Sequence, residues 1–425
     1  MTDGEDAPAV SLTFLAELRS GFPTRAWQSA PHPRLPILAT ATSDKSVSIY
    51  SLRDFRLLNI ISGGHKRSVR SVAWRIDPVK NETVLATGSF DSSVGIWKPE
   101  AHSNIGLDSG SQTNNAGHAE FNGDVHADNE DIQAADPEEW QFAVLLTGHD
   151  SEVKCVAFSP SNPALLATAS RDKSLWLWEA ISDEDDYETI AVLTEHSGDV
   201  KCVAWHPEKE TFASGSYDDT IRLWRDIEDE GDWGCVACIE GHQGTVWSLA
   251  WEPRLKDEQL DGLRLASCSH DLTVRIWSRV ESEPRHARKP RALPSIIRPA
   301  SSMEVWQQQS ILPQVHCRSI YAIAWSSRTG LIVSCGGDGN LFVYKEIPTT
   351  TESQRRDSAE QEKKPLITSW QIIAQIEDAH GDFEINHVCW ALRQDQGRRR
   401  GDEEIILSSG DDGIVRAWAL PAESF

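Results

Sequence analysis

The chain has 425 residues and a formal net charge of −24, from 41 Lys and Arg against 65 Asp and Glu; this balance argues against a nucleic-acid phosphate track or an anionic membrane surface as the main partner. Hydrophobic residues make up 39% of it, enough for a core, but no run of 18 apolar residues occurs, so no membrane-spanning helix is expected. The opening MTDGEDAPAV has neither the basic nor the apolar stretch of a secretory signal, which predicts a reducing compartment and no disulfide framework for the eight cysteines.

In chain order, residues 1–11 read as a flexible N-terminus and LTFLAEL (12–18) as a strand without a partner repeat. One string then recurs seven times: ATATSDKSVSIY (39–50), ATGSFDSSVGIW (86–97), ATASRDKSLWLW (167–178), ASGSYDDTIRLW (213–224), ASCSHDLTVRIW (266–277), VSCGGDGNLFVY (333–344) and LSSGDDGIVRAW (407–418). In every copy an Asp lies six residues before an aromatic: Asp44/Tyr50, Asp91/Trp97, Asp172/Trp178, Asp218/Trp224, Asp271/Trp277, Asp338/Tyr344 and Asp412/Trp418. Upstream of six copies stands a His: His65, His149, His196, His242, His316 and His380. Four residues after the first five of these comes Val69, Val153, Val200, Val246 or Ile320, and nine after them an aromatic; the last copy is one residue longer. Each unit therefore predicts four short strands: an apolar strand after the His, a small-residue strand ending near the Ser, an Asp-bearing turn into an alternating strand, and an outer strand such as WGCVACI. Such a unit cannot bury both faces alone, whereas radial packing lets the units cover one another. The last unit has no outer strand of its own, and residues 12–18 fit that place by length. The expectation is one all-β domain over 12–420, a seven-bladed ring closed by an N-terminal strand that completes the last blade.

The repeats resemble the WD-repeat β-propellers. That resemblance implies a buried His–Ser–Asp–Trp tetrad within a blade. Carried onto this sequence it gives His65, Ser89, Asp91 and Trp97; His149, Ser170, Asp172 and Trp178; His196, Ser216, Asp218 and Trp224; and His242, Ser269, Asp271 and Trp277. Gly336 and Gly410 stand at the Ser position of the last two units and Thr42 at that of the first, which also lacks the His. Three weakened tetrads are therefore expected. The inserted segments at about 99–139, 278–305 and 346–366 all fall between third and fourth strands. The first reads as a disordered acidic loop. RHARKPR (285–291) is read as a solvated basic loop, with a nuclear import signal as the other reading. GRRRGDEE (397–404) falls between a first and second strand.

Motifs for catalysis are missing: no Gly-rich phosphate loop, HExxH or nucleophile elbow occurs. Cys235–Val–Ala–Cys238 is a lone CxxC in an apolar strand, and a zinc site needs four converging ligands. Cys155 and Cys202 stand where Ser71 and Ser248 do in neighbouring units and read as small core filler. No catalytic, cofactor or metal residues are expected.

Residues beyond the repeat skeleton, in strings such as HKRSVRSVAWR (65–75), EHSGDVKCVAWHP (195–207), GHQGTVWSLAWE (241–252) and FEINHVCW (383–390), resemble those of the cytosolic iron–sulfur protein assembly WD-repeat proteins. The acidic insertions fit a fungal form. The resemblance runs from about residue 12 to 419 outside the inserted loops. It implies a non-enzymatic scaffold that binds a HEAT-repeat adaptor, a small cysteine-bearing adaptor, an iron-only-hydrogenase-like carrier and apo iron–sulfur clients. The expected compartment is the cytoplasm, with the nucleus as a second, and neither direct nucleic-acid binding nor a membrane is expected. The competing readings are a substrate receptor of a cullin-type ubiquitin ligase and a chromatin or histone-tail reader. The first of these commonly shows Trp-Asp-x-Arg at a repeat end, and no repeat here ends so. In WD-repeat propellers the His loop and the Asp turn open on one face, the usual docking face. On it the residues before each Asp (Ser43, Phe90, Arg171, Tyr217, His270, Gly337 and Asp411) should meet those that begin the innermost strands: Trp27, Arg70, Lys154, Lys201, Trp247, Tyr321 and Asn386. Arg171, Lys154, Lys201, Arg70, Trp247, Tyr321, Tyr217 and Trp27 are the candidate partner-binding residues, suited to a peptide with a carboxylate and an apolar or aromatic side chain. The alternative for these side chains is rim filling, with their charges paired to the acidic Asp turns.

Overall fold

The computed structural model describes residues 10–22, 24–76, 83–100, 140–181, 186–227, 231–253, 263–280, 303–348 and 368–421. Among them all regular structure is strand. Seven sheets form, each with four antiparallel strands that in the first six blades run in chain order from the inside out. Blade 1 is Ala26–Pro31, Ile37–Thr42, Val47–Ser51 and Leu57–Ile61. Blade 2 is Val69–Ile76, Thr83–Ser89, Ser93–Pro99 and Trp140–Thr147. Blade 3 is Val153–Phe158, Leu165–Ser170, Leu175–Ala180 and Tyr187–Leu193. Blade 4 is Val200–Trp205, Thr211–Ser216, Ile221–Asp226 and Trp233–Ile239. Blade 5 is Val246–Trp251, Arg264–Ser269, Val274–Arg279 and Trp306–Ile311. Blade 6 is Ile320–Trp325, Ile332–Gly336, Leu341–Pro348 and Thr368–Ile376. Blade 7 takes Ile385–Leu392, Glu404–Gly410 and Ile414–Ala419 from the end of the chain and Thr13–Arg19 from its beginning. The innermost strands of successive blades stand side by side, and that of blade 7 stands against that of blade 1. The result is a seven-bladed β-propeller.

Burial follows position in the blade. The second strands carry Ala, Ser, Thr and Leu and are covered on both faces; Leu165–Ser170 and Thr211–Ser216 are buried at every position. The outer strands of blades 2, 3 and 5 mix partly covered with exposed positions. The cores lie between blades: one cluster joins Leu165, Ala167 and Leu177 of blade 3 to Val200, Trp205 and Trp224 of blade 4. Radial packing thus supplies the cover that a single sheet lacks.

Tryptophan is frequent because three positions per blade use it. In the third strand Trp97, Trp178, Trp224, Trp277 and Trp418 are buried. In the first strand Trp74, Trp205, Trp251 and Trp390 each donate the indole N–H to a carbonyl of the preceding blade, on Ala30, Ala157, Ala204 and Ala324. In the outer strand Trp140, Trp233 and Trp306 pack against those first-strand rings at centroid distances of 5.6, 5.8 and 6.0 Å. An indole suits such sites because it combines a large apolar body with one donor.

Every Asp turn is built alike. The residue after the Asp has positive φ in all seven: Lys45, Ser92, Lys173, Asp219, Leu272, Gly339 and Gly413. This left-handed residue lets a second strand reverse into a third within a few positions.

Two boundaries differ from the sequence expectation. Val10 and Ser11, assigned to the flexible N-terminus, pair in parallel with Ala374 and Gln375 and add a fifth strand to blade 6. The third strand of blade 6 runs to Pro348 and absorbs 346–348, because its ladder with the outer strand continues to Thr368. The bulk of the three inserted segments, RHARKPR included, lies outside the described residues.

Candidate docking site at the mouth of the ring

Six blades carry a buried hydrogen-bonded relay, and its register corrects the sequence reading. The hydroxyl that meets the His is not Ser89, Ser170, Ser216 or Ser269. It is the residue two positions earlier: Thr87, Thr168, Ser214 and Ser267, with Ser334 and Ser408 in blades 6 and 7. Each lies 2.7–2.8 Å from His Nε2. It also accepts the N–H of Trp97, Trp178, Trp224, Trp277 or Trp418, and Ser334 meets the Tyr344 hydroxyl. An indole can only donate, so the hydroxyl accepts from Trp and donates to Nε2, leaving Nδ1–H to donate to the Asp. Ser89, Ser170, Ser216 and Ser269 instead accept the Asp backbone N–H and donate to the loop before the first strand, bracing the turn. Residues two apart share a strand face, so face alternation does not choose between them; the reach of the imidazole does. Gly336 and Gly410 therefore leave blades 6 and 7 with complete relays. In blade 1, which has no His, Thr42 bonds to Asp44 and Ser46.

The aspartates of these relays hold a consequence for pH. Burial pushes the Asp218 carboxyl up, but bonds from His196, Thr220 and the Ser197 backbone outweigh it and hold the group well below the ordinary range. Asp91, Asp172 and Asp271 are held down by the same balance of burial against His and hydroxyl bonds. A depressed folded pKa gives stability that is complete above the unfolded value of about 3.9 and is lost as pH falls toward the folded one. Unfolding free energy should thus fall steadily below about pH 4. Asp218→Asn, less stable at neutral pH, should show a shallower acid slope in urea titrations. Equal slopes for the two chains would remove Asp218 from the acid response.

The turn and the loop before each first strand meet on one face. The backbone N–H of the residue preceding each Asp donates to that loop, as Arg171 does to the Glu152 carbonyl and Tyr217 to that of Asp199; all seven blades repeat this bond. Rim residues and first-strand starts are thereby locked into one ring. Because strands alternate in direction, the third strands end and the fourth strands begin at the opposite face.

The structure joins the candidate residues into two linked groups. On the cationic side Lys154 and Lys201 pair with Glu152 and Asp199 at 2.5 and 3.1 Å. Arg171 reaches both acids, at 3.6 and 4.0 Å. Lys154 lies 4.4 Å from the Phe90 ring centre, and Lys201 lies 5.5 and 5.2 Å from those of Tyr217 and Trp247. On the aromatic side Trp247 meets Tyr321 edge-on at 5.3 Å, and Tyr321 donates to Glu384. Arg70 covers Trp27 at 5.1 Å, and the Trp27 ring is 6.1 Å from Phe90. Tyr217, 63% exposed, stands out from the rim. The acids that pin the cations are not those of the Asp turns, which the relays occupy. They are Glu152 and Asp199, two residues before each lysine and just ahead of its strand; the spacings Glu152–Val–Lys154 and Asp199–Val–Lys201 were the available signal for them.

Below the rim the innermost strands are stitched across blades. Val72, Val156 and Ile323 donate backbone N–H to Gln28, Ser71 and Ser248 of the neighbouring blade. Cys155, at the position of Ser71, contacts the Val203 carbonyl at 3.7 Å. The small residues at this position are thus links between blades as well as filler. Burial raises the thiol pKa of Cys155, Cys202, Cys268, Cys335 and Cys389. It also raises Cys235 and Cys238, against a lowering by Arg222. Among the described residues no three His, Cys, Asp or Glu side chains are grouped to hold a metal ion.

A ring of four-stranded blades with a His–hydroxyl–Trp relay under an Asp turn defines a WD-repeat propeller, and the WD domain, G-beta repeat family matches residues 56–98, 140–179, 187–225, 233–278 and 306–345. The chain is 48% identical to the protein named "Probable cytosolic iron-sulfur protein assembly protein 1" in Neosartorya fischeri, over 96% of this chain and 98% of that one. To the proteins of the same name in Aspergillus flavus and Aspergillus fumigatus it is 48% and 49% identical, over 97% and 96% of this chain and 99% and 97% of theirs. The chain belongs to this family of WD-repeat proteins, cytosolic iron-sulfur protein assembly protein 1.

Proposed function

We propose that the chain is a non-catalytic scaffold of cytosolic iron–sulfur protein assembly, and that its mouth captures adaptors or apo-client proteins through a peptide bearing a carboxylate and an aromatic or apolar side chain. Near-full-length identity to relatives of that name supports the role. The observation that carries the docking reading is the wall of Arg171, Lys154 and Lys201 facing Tyr217, Trp247 and Tyr321, within a chain at −24 overall. Arginine receives carboxylates in bidentate fashion and the rings give stacking surface. The relay histidines are buried and bonded to half-buried aspartates, so they serve the fold rather than turnover. The cluster is then cargo passed between partners: a HEAT-repeat adaptor, a small cysteine-bearing adaptor, an iron-only-hydrogenase-like carrier and the clients.

Arg171→Glu tests this. Its side chain is 57% exposed and its ion pairs are long, so stability should shift by about 0.5 kcal/mol or less. Binding of an acidic–aromatic tail peptide, read by fluorescence anisotropy, and client capture should both weaken by about tenfold or more. A folded variant with parental affinity would remove this face as the client site.

A further inference from the structure

The mouth holds more positive charge than the chain neutralises. On blades 2 to 4, Arg67, Lys154, Arg171 and Lys201 all draw on two carboxylates, Glu152 and Asp199. A fifth cation, Arg70, begins the innermost strand of blade 2. Among the described residues it has no carboxylate at ion-pair distance; its one close partner is the Trp27 ring at 5.1 Å, and Asp411 acts on it from farther off. Arg70 is half-buried; loss of solvent weakens its hold on the proton, and Cys155 and Asp411 oppose this. Lys154 is pulled down first by burial; Glu152 opposes this, while Lys201 and Arg70 add repulsion. Two further donors nearby lack acceptors: the indole N–H groups of Trp27 and Trp247 are buried with no hydrogen-bond partner. These rings touch the two ends of the cationic arc, Trp27 under Arg70 and Trp247 beside Lys201. A half-buried cation with only a distant counter-charge and buried donors without acceptors are each costly. One ligand that is both anionic and rich in acceptors relieves both.

We propose that the axial end of the mouth is an oxyanion seat for a phosphate dianion, held by Arg70 with Lys154 and Lys201 and bordered by the indoles of Trp27 and Trp247. Phosphate fits better than a carboxylate for two reasons. Four cations share Glu152 and Asp199, and Arg70 has only the more distant Asp411, which leaves an excess of two that a dianion offsets and a monoanion does not. A tetrahedral group also offers acceptors to donors on several sides, whereas a carboxylate presents two oxygens in one plane. Free phosphate and the phosphate of a modified serine, threonine or tyrosine share this chemistry. The seat does not depend on client capture by Arg171, which lies further out and is more than half exposed.

The test titrates the full chain with inorganic phosphate at constant ionic strength in chloride, read by calorimetry and by thermal unfolding. Saturable binding with a rise in unfolding temperature is expected. Arg70→Gln should lose at least about tenfold in affinity and most of the rise, while unfolding in chloride at or above the parental temperature because an uncompensated cation is gone. Lys154→Met gives a second reading should Arg70→Gln fail to fold. A short phosphoserine peptide run beside its unmodified form and free phosphate separates the two sources. Tighter binding of the phosphopeptide identifies a modified chain as occupant, equal binding identifies the free ion, and either supports the seat. No saturable phosphate binding, or parental affinity in both variants, overturns it. The Arg171→Glu result on client capture stands apart from both outcomes.

Discussion

Trp224→Ala should unfold at a far lower denaturant concentration than the parent chain, a loss of about 3–5 kcal/mol. Trp224 is 0% exposed. Its ring stacks on Phe212 and belongs to the cluster that joins blades 3 and 4, so truncation opens a void at a seam between blades. Its N–H also donates to Ser214 Oγ at 2.8 Å, and its removal leaves that hydroxyl with His196 alone. The cavity exceeds the lost bond in effect, since one hydrogen bond contributes about 1 kcal/mol net. Trp224→Phe should therefore recover more than half of the loss. An unchanged urea midpoint for Trp224→Ala would refute the relay and the seam together.

Removal of residues 1–19 should have the other large effect. It takes away the whole strand Thr13–Arg19 and leaves the third strand of blade 7 as an open edge. Leu18 is fully buried with Val415 and Ala417, Phe14 packs edge-on against Trp418 at 5.5 Å, and Glu17 pairs with Arg416 at 3.2 Å. Burial of Leu18 alone contributes about 1.5–3 kcal/mol. The truncated chain should melt several degrees lower and aggregate through the freed edge. Leu18→Ala, at about 2–5 kcal/mol, probes the same closure without truncation. Thermal unfolding of both variants at the parental temperature would show that the ring does not depend on this strand.

The fold was legible because seven copies of one string carry the same physical demand: small residues where blades press on both faces, an Asp where the chain must reverse, an aromatic where the relay ends. The closing strand was legible from its length and the missing fourth strand of the last unit. The relay hydroxyl was not, because Thr87 and Ser89 are both small, hydroxylated and on one face. Only the distance from His65 Nε2 separates them. The same ambiguity made Gly336 and Gly410 look like defects, although Ser334 and Ser408 do the bonding. At the mouth, the residue types and their ring placement could be read from the repeat, but the lack of an ion-pair partner for Arg70 and the sharing of Glu152 among three cations could not. Both depend on how neighbouring blades approach.

The pairing of Glu17 with Arg416, 399 positions apart, also sets a timetable for the cell. A ribosome adds about 5–20 residues each second, so the first strand waits on the order of tens of seconds before its partner exists. During that interval blades 1 to 6 can stack on one another, but Phe14 and Leu18 have nowhere to go. Closure needs the last blade and so comes late. The nascent chain is therefore an incomplete ring with one sticky end throughout its synthesis, and its yield should depend on whatever shields that end until the final blade emerges.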